Sequence, residues 1–587
     1  MKKFRILALL LSLIMVLTAC GGDSKNKEKT EGNGTYEGRA KGHNADIVLE
    51  VEFKEKKIAN IKVKEHKETE NLGDVAMKKL LEEAVKHNTT NLDSVAGATV
   101  SSKAFLEALK DAIKNAGLKV EDFSKKVEKT TEKKESKEIT KEVVVIGAGG
   151  AGFIAAIKAK ESGADVIIIE KLPVIGGNTL ISGAEYAAPA NWLQEKEKLE
   201  DSKELFIKDV EKAGGDKALI NVLAENALKG AEWLRDDVKV EWTDELMFFG
   251  GHSVKRSLIP KGASGKEIIE KLSAKAKELN IEVLTETEAY ELIQKDGTVV
   301  GVKAKTKEGE LVINSKAVIL TTGGFGANPE MAFSYDKEID DKIHTTNSPG
   351  ARGDGIKMAQ AVGAELVGME HIQLYPVCDT ETGKLLYTGD TRLTSGALLV
   401  NKEGKRFVEE LDTRRAISLG IKAQTGNKAY QIWDQTSTEK SGVMIDHAGE
   451  AEDLISRKKM VKADTLEEAA KFFGIDEKNL KETLDKFNKD SEAGKDTEFN
   501  LRRLGFKVEK APFYIIEASP AIHHTMGGVK IDTEARVLNK DGKPIKGLYA
   551  AGEVTGGIHG TNRLGSVAIT DITVFGLIAG ESAAKGK

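Results

Sequence analysis

Val143-Val-Val-Ile-Gly147-Ala-Gly149-Gly-Ala-Gly152, followed by Asp165-Val-Ile-Ile-Ile169-Glu170, decides the architecture of this chain. The unbroken apolar run before Gly147 reads as a strand buried on both faces, as in a parallel sheet. Gly147 permits a tight turn, Gly149 lets the backbone approach a pyrophosphate, and Gly152 lets the next helix pack close to the strand. The N-terminus of that helix then faces the phosphates. The second apolar strand ends in Glu170, about 20 residues beyond the turn, where an acid reads a ribose 2′-hydroxyl. Together these features predict a dinucleotide site on an α/β domain.

Working outward, strand and helix signals alternate from Glu142 onward, and a strand-rich stretch runs from Ile281 to Leu320. Between Ile372 and Leu504 the pattern becomes mixed, with amphipathic helices at Leu466 to Phe473 and Leu480 to Phe487. The α/β character returns from Ala511. The order predicts an α/β fold: a discontinuous Rossmann-like domain (141–371 and 505–587) with an inserted α+β capping domain (372–504). Ahead of it, 35–118 reads as a small α+β domain. It has a strand at Ala45 to Phe53, a hairpin partner at Ile58 to Val63, and helices at Val75 to Lys86 and Ser102 to Ala116. Residues 119–140, mostly Lys, Glu, Thr and Ser, read as a charged linker.

The N-terminus carries a targeting signal. Lys2, Lys3 and Arg5 precede a short apolar run that ends in Leu17-Thr18-Ala19-Cys20-Gly21. This resembles a bacterial lipobox. Residues 1–20 are expected to be a lipoprotein signal peptide, Cys20 the lipidation site, and 21–34 a polar tether. The expected location is the extracytoplasmic face of the cell membrane, reached through the lipid anchor alone. Net charge is −5 without a basic block, which leaves nucleic-acid binding without electrostatic support. The two cysteines, Cys20 and Cys378, exclude a disulfide framework, a Cys-rich metal site and an iron–sulfur cluster. No metal is expected.

Three later segments decide between nicotinamide and flavin. Glu170-Lys-Leu-Pro-Val-Ile-Gly176-Gly177-Asn178-Thr179, Ala317-Val-Ile-Leu-Thr-Thr-Gly323-Gly324-Phe325 and Gly547-Leu-Tyr-Ala-Ala-Gly552-Glu553 resemble, in order, the flavin-contacting segments of the fumarate reductase and succinate dehydrogenase flavoproteins. The resemblance implies non-covalent FAD held by Gly147, Gly149, Gly152, Glu170, Gly177, Asn178, Thr179, Ser182, Gly183, Ala289, Gly323, Asp354, Glu553, Ala568 and Ile569.

From about residue 140 to 587 the resemblance sharpens to the flavocytochrome c fumarate reductases. Ala521-Ile-His523-His524-Thr-Met-Gly527-Gly528 and His559-Gly-Thr-Asn-Arg563-Leu-Gly are specific motifs of that group. They imply that His524 and Arg563 bind the substrate carboxylate, a task suited to the planar guanidinium fork. Asn401-Lys-Glu-Gly-Lys-Arg406-Phe-Val-Glu-Glu-Leu-Asp-Thr413-Arg414 resembles the segment whose arginine donates the proton. That residue is Arg414, with Arg415 adjacent. The family's His-Pro-Thr and Thr-Glu elements are replaced here by Tyr375-Pro376 and Gly389-Asp390. A phenol and an acid in place of carboxylate ligands fit a ring at the substrate's far end, and the replacements look like those of urocanate reductases. Tyr375 and Asp390 are thus expected at the substrate, Asp390 either reading the ring or feeding protons to Arg414. The family's relay arginine aligns with Leu393, beside Arg392.

Asp93-Ser-Val-Ala96-Gly97-Ala98-Thr99-Val-Ser101-Ser102 resembles the flavinylation motif of small FMN-binding domains, with Ala96 where Ser or Thr is usual. It implies FMN joined covalently, through its phosphate, to Thr99 by a flavin transferase. The combined expectation is a reductase that converts urocanate to dihydrourocanate. Electrons would arrive through FMN from a membrane flavoprotein or quinol dehydrogenase, FAD would deliver hydride, and Arg414 would supply the proton. The rivals are a fumarate reductase, a reductase of another α,β-unsaturated carboxylate, and an extracellular flavin electron-carrier lipoprotein.

Overall fold

In the computed structural model the strand that opens the glycine turn is longer than its apolar core. It spans Lys137–Ile146, and its charged front half pairs in parallel with Leu311–Ser315 before Val143–Ile146 pairs with Ala317–Leu320. Lys316 reaches Glu142 at 2.8 Å along this edge. The front half therefore continues the sheet beyond the core, where its charges stay hydrated, and its composition alone resembles a linker. The structure describes residues 32–42, 45–68, 73–95, 98–126, 136–249, 251–340 and 343–586. The expected signal peptide, Cys20 and most of the expected tether lie outside the described residues.

The described residues fall into two units. One comprises 32–67, Leu81–Leu92 and 104–126; the other comprises Glu68, 73–80, 93–95, 98–103 and 136–586. The first holds an antiparallel sheet of Gly34–Lys41, Asp46–Lys54 and Lys57–Glu65. Gly38 faces residues of the helix Thr99–Asn115 so closely that a Cβ would stand 2.0 Å from the Ala108 carbonyl oxygen. Phe53 meets Phe123 edge-on, with ring centroids 6.1 Å apart.

In the second unit, an eight-stranded sheet among the described residues carries the dinucleotide motif. Its centre runs Glu310–Leu320, Lys137–Ile146, Val166–Ile169, all parallel. Pro544–Ala550 returns from the C-terminal part to pair in parallel beside Val318–Leu320, which makes the domain discontinuous, as expected. The helices Gly150–Glu161 and Val567–Lys585 touch along glycines: a Cβ on Gly580 would meet the Ala155 carbonyl oxygen at 2.3 Å. Val567–Lys585 is apolar enough to cross a membrane by composition, yet 67% of its most apolar window is buried inside the molecule. It is a core helix.

Among the described residues, a six-stranded sheet forms the cap. Its central strand, Phe513–Thr525, pairs with Ala429–Asp434, Met460–Ala463, Ile372–Cys378 and His344–Thr345. This strand lies beyond the boundary read at 504, because its first half completes the cap while its last residues, His524 and Thr525, meet Glu553. Leu466–Phe473 is helical as expected, and Leu480 to Phe487 falls within the helix Glu477–Glu492.

Candidate active site

The glycine turn opens onto a cavity lined by Gly147, Gly149, Glu170, Gly177, Asn178, Thr179, Ala289, Gly323, Asp354 and Glu553. Gly147 has φ +109°, and a Cβ there would stand 2.5 Å from the Thr321 carbonyl oxygen. A Cβ on Gly149 would meet nothing closer than 3.9 Å, so this glycine leaves open space in a cradle at a helix start. Gly152 is needed for packing: its Cβ would fall 1.9 Å from the Gly147 carbonyl oxygen. Glu170 accepts from the Ala148 and Leu172 amides at 2.9 and 2.8 Å, which fixes its carboxylate at the cavity wall. Asp354 pairs with Lys171. This donor set and shape fit FAD.

Five expected FAD residues do not line this cavity: Gly152, whose place is in the helix packing, and Ser182, Gly183, Ala568 and Ile569. Ser182 turns its hydroxyl back to the Thr179 carbonyl at 2.9 Å. Gly183 faces the Glu185 carboxylate, where a Cβ would stand 2.4 Å from its oxygen. Ala568 and Ile569 lie in the first turn of the core helix. Thr287, Ser348 and Met358 do line the cavity and were not expected; each lies outside any glycine motif, and only the tertiary fold brings them in.

At the end of the cap's central strand, His524 and Arg563 meet. His524 Nδ1 lies 3.6 Å from Glu553 Oε2, a residue that also lines the cofactor cavity. His524 Nε2 and Arg563 Nε are buried without a hydrogen-bond partner among the described residues. Burial, with Arg563 nearby, holds the His524 imidazole well below its ordinary pKa, so it is neutral at pH 7. Burial and then Arg414 push the Arg563 guanidinium down to about 9. It remains a cation at pH 7, and a costly one, which a bound anion would stabilise.

Arg414 follows Thr413, whose hydroxyl caps the helix Arg414–Lys422 by accepting from the Ala416 amide at 3.2 Å. The preceding loop is fixed by buried Arg406, which forks onto Glu410 (2.8 and 2.7 Å) and Asp496 (3.0 Å, twice). Arg414 Nη1 donates to Gln373 Oε1 at 3.0 Å, and its guanidinium sits 4.9 Å from the centre of the Tyr375 ring. Arg415 turns away to Asp336 at 2.7 Å. Of the adjacent arginines, Arg414 therefore faces the site. Arg392 is buried and donates to the Glu410 carbonyl, within electrostatic reach of Tyr375, Asp390 and Arg414; Leu393 contributes its carbonyl to Arg503.

The Tyr375 hydroxyl donates to Asp390 Oδ1 at 2.7 Å. Burial pushes the Asp390 carboxyl up, while Tyr375, Arg392 and Arg414 pull it down. The sequence reading missed Glu185. Burial raises its pKa most, and it interacts electrostatically with Asp390, Arg414 and Arg563. The available signal was a lone acid within the small and apolar run Ser182-Gly-Ala-Glu185-Tyr-Ala-Ala-Pro189. His523 was also unassigned. It stacks obliquely on Tyr375 with centroids 5.2 Å apart, and its Nδ1 lies 2.9 Å from the Thr346 hydroxyl.

Thr99 begins the helix Thr99–Asn115 and is exposed. Ser102 secures the approach to it, its hydroxyl accepting from the Val95 amide at 3.0 Å and donating to the Ala98 carbonyl at 2.7 Å.

Residues 142–569 match the family of FAD binding domains and residues 42–114 the FMN-binding domain family. A urocanate reductase of Eggerthella lenta is 44% identical over 94% of this chain and 93% of its own length. A fumarate reductase (cytochrome) of Shewanella frigidimarina is 42% identical over 76% of this chain and 77% of its own. Among solved structures, the open conformation of a flavocytochrome c3 fumarate reductase superposes with a TM-score of 0.68 at 38% identity, covering 76% of this chain and 78% of that one. The chain belongs to the flavoprotein family of the fumarate and urocanate reductases, and is an FAD- and FMN-dependent oxidoreductase that reduces the carbon–carbon double bond of unsaturated carboxylates.

Proposed function

We propose that the chain is a urocanate reductase, adding two electrons and two protons across the side-chain double bond to give dihydrourocanate. The observation that carries this reading is the 2.7 Å bond between Tyr375 and Asp390, with Arg414 above the Tyr375 ring. A phenol, two carboxylates (Asp390 and Glu185) and a cation over the phenol's face form an end suited to a nitrogenous aromatic ring. A second substrate carboxylate would meet two acids there.

When bound, FMN and FAD supply the two electrons, which reach the β-carbon as hydride. The protein does the rest. Arg563 and His524 hold and polarise the substrate carboxylate, Arg563 as the cation and His524 through its unpartnered Nε2. Arg414 gives a proton to the α-carbon. Asp390 and Arg392, both buried beside it, are the groups positioned to return that proton. Tyr375, Asp390 and Glu185 read the ring. FMN is joined through its phosphate to Thr99 by a flavin transferase. Cys20 carries the lipid that places the enzyme on the outer face of the membrane, where a membrane flavoprotein or quinol dehydrogenase feeds it.

Steady-state oxidation of a reduced viologen by the full chain tests the reading. Turnover with urocanate at a kcat/KM above that for fumarate is the expected result. Turnover of fumarate without urocanate would overturn it, and no turnover with any enoate would favour an electron carrier.

A further inference from the structure

The turn Tyr387–Asp390 is held by a second element. The helix Ala448–Ser456 begins at His447, whose ring lies flat on Tyr387, with centroids 4.8 Å apart and planes 9° from parallel. One turn further, Glu450 accepts three hydrogen bonds: from the Tyr387 amide at 3.1 Å, the Thr388 amide at 2.8 Å and the Thr388 hydroxyl at 2.7 Å. Asp390 is two residues beyond Thr388. From the opposite side Gln431 Nε2 donates to the Gly389 carbonyl at 3.1 Å.

Burial pushes the Glu450 carboxyl up, and the bonds from Thr388 and Tyr387 pull it down. A carboxylate taken out of water carries a desolvation penalty that packing alone does not require. Here its oxygens converge on one turn, and charge-assisted bonds of this kind are the stronger class. The held turn bears Asp390 and also Tyr387, which interacts electrostatically with Glu185 and Asp390. The bonds of Glu450 therefore hold the turn that carries both Tyr387 and Asp390.

We infer that Glu450 and His447 are positioning residues that set selectivity for enoates bearing an aromatic ring. They do so by fixing Asp390 and Tyr387 where the ring binds. The inference rests on the ring-reading end proposed above. It separates the two ends of the substrate: holding the carboxylate depends on Arg563, His524 and Gln373, and recognising the ring depends on the Glu450 brace.

The test uses the full chain with both flavins and a reduced viologen, comparing urocanate with acrylate, which has no ring. Glu450→Ala is expected to raise KM for urocanate about tenfold or more, the loss of a charge-assisted bond or two. Any fall in kcat through the displaced Asp390 should be shared by both substrates, while the acrylate KM should stay within about twofold. Glu450→Gln, whose amide oxygen still accepts from Thr388, should recover most of the loss, and His447→Ala should fall between. An equal KM rise for both substrates, or an unchanged urocanate KM in Glu450→Ala, would overturn the inference while the substrate reading stands. A wild-type chain that reduces acrylate but not urocanate overturns the substrate reading and this inference with it.

Discussion

Gln373 and Arg563 bond each other twice: Arg563 Nη2 donates to Gln373 Oε1 at 3.0 Å, and Gln373 Nε2 donates to the Arg563 carbonyl at 2.8 Å. The same Oε1 accepts from Arg414 Nη1 at 3.0 Å. One neutral amide oxygen thus spaces the two guanidinium cations. Gln373→Leu removes the two bonds that Oε1 accepts from the guanidinium groups, each of about 1.5–3 kcal/mol. The expected outcome is a fall in kcat/KM of about tenfold or more for every enoate, measured by steady-state kinetics. Gln373→Glu should instead raise KM, because its charge competes with the substrate carboxylate for Arg563.

Tyr375→Phe deletes the 2.7 Å bond to Asp390 and leaves a buried carboxylate short of a donor. A rise in urocanate KM of about tenfold is expected, with a smaller change for acrylate. The double change Tyr375→His with Asp390→Glu should weaken urocanate use further. Kinetics unchanged from wild type would remove both residues from ring recognition.

Gly389 lies against the strand that carries Tyr375. A Cβ there would fall 2.5 Å from Val377 Cγ1, and Val377 is buried. Gly389→Ala must therefore move the turn or the strand, at a cost of about 1–3 kcal/mol. A lower melting temperature together with a selectively raised urocanate KM is expected, since the shift separates Asp390 from Tyr375.

Buried His252 has its Nε2 2.9 Å from the Gly565 carbonyl oxygen, and its ring stacks on Phe206. Burial pushes its pKa down to about 4 from an ordinary 6.5. Between those values the unfolded chain binds a proton that the folded chain does not. Stability is therefore present above pH 6.5 and is lost as pH falls toward 4, by about 3 kcal/mol from this group. His252→Gln cannot charge, so its melting temperature should fall less than that of wild type between pH 7 and 4.5. Parallel thermal melts across that range provide the check.

Thr99→Ala should abolish flavin fluorescence from the denatured chain in a gel while leaving FAD extractable from the native protein. Fluorescence that persists in the variant would place the FMN linkage elsewhere.

The cofactor half of the molecule was legible because its determinants are local. Gly147, Gly149 and Gly152 are dictated by backbone approach, and Glu170 sits at a strand end, so spacing alone exposes them. Tyr375 and Asp390 were legible only as departures from a pattern. Glu185, Gln373 and Glu450 were not, because each acts through a partner about 62 to 205 positions away: Glu185 meets Asp390, Gln373 meets Arg563, and Glu450 grips Thr388. The charged Lys137–Thr140 segment has a linker's composition because composition reports solvation, and an edge of sheet beyond the core is solvated too.

The strand Phe513–Thr525 begins in the cap and ends with His523 and His524 on the cofactor side. Neighbouring strand residues project to opposite faces, and the two histidines serve different partners, Thr346 and Glu553. A single residue inserted or deleted along this strand would exchange them. The strand is in effect a fixed ruler between lid and hearth: the cap can drift in composition as its substrates change, but the length of this one segment is not free to follow.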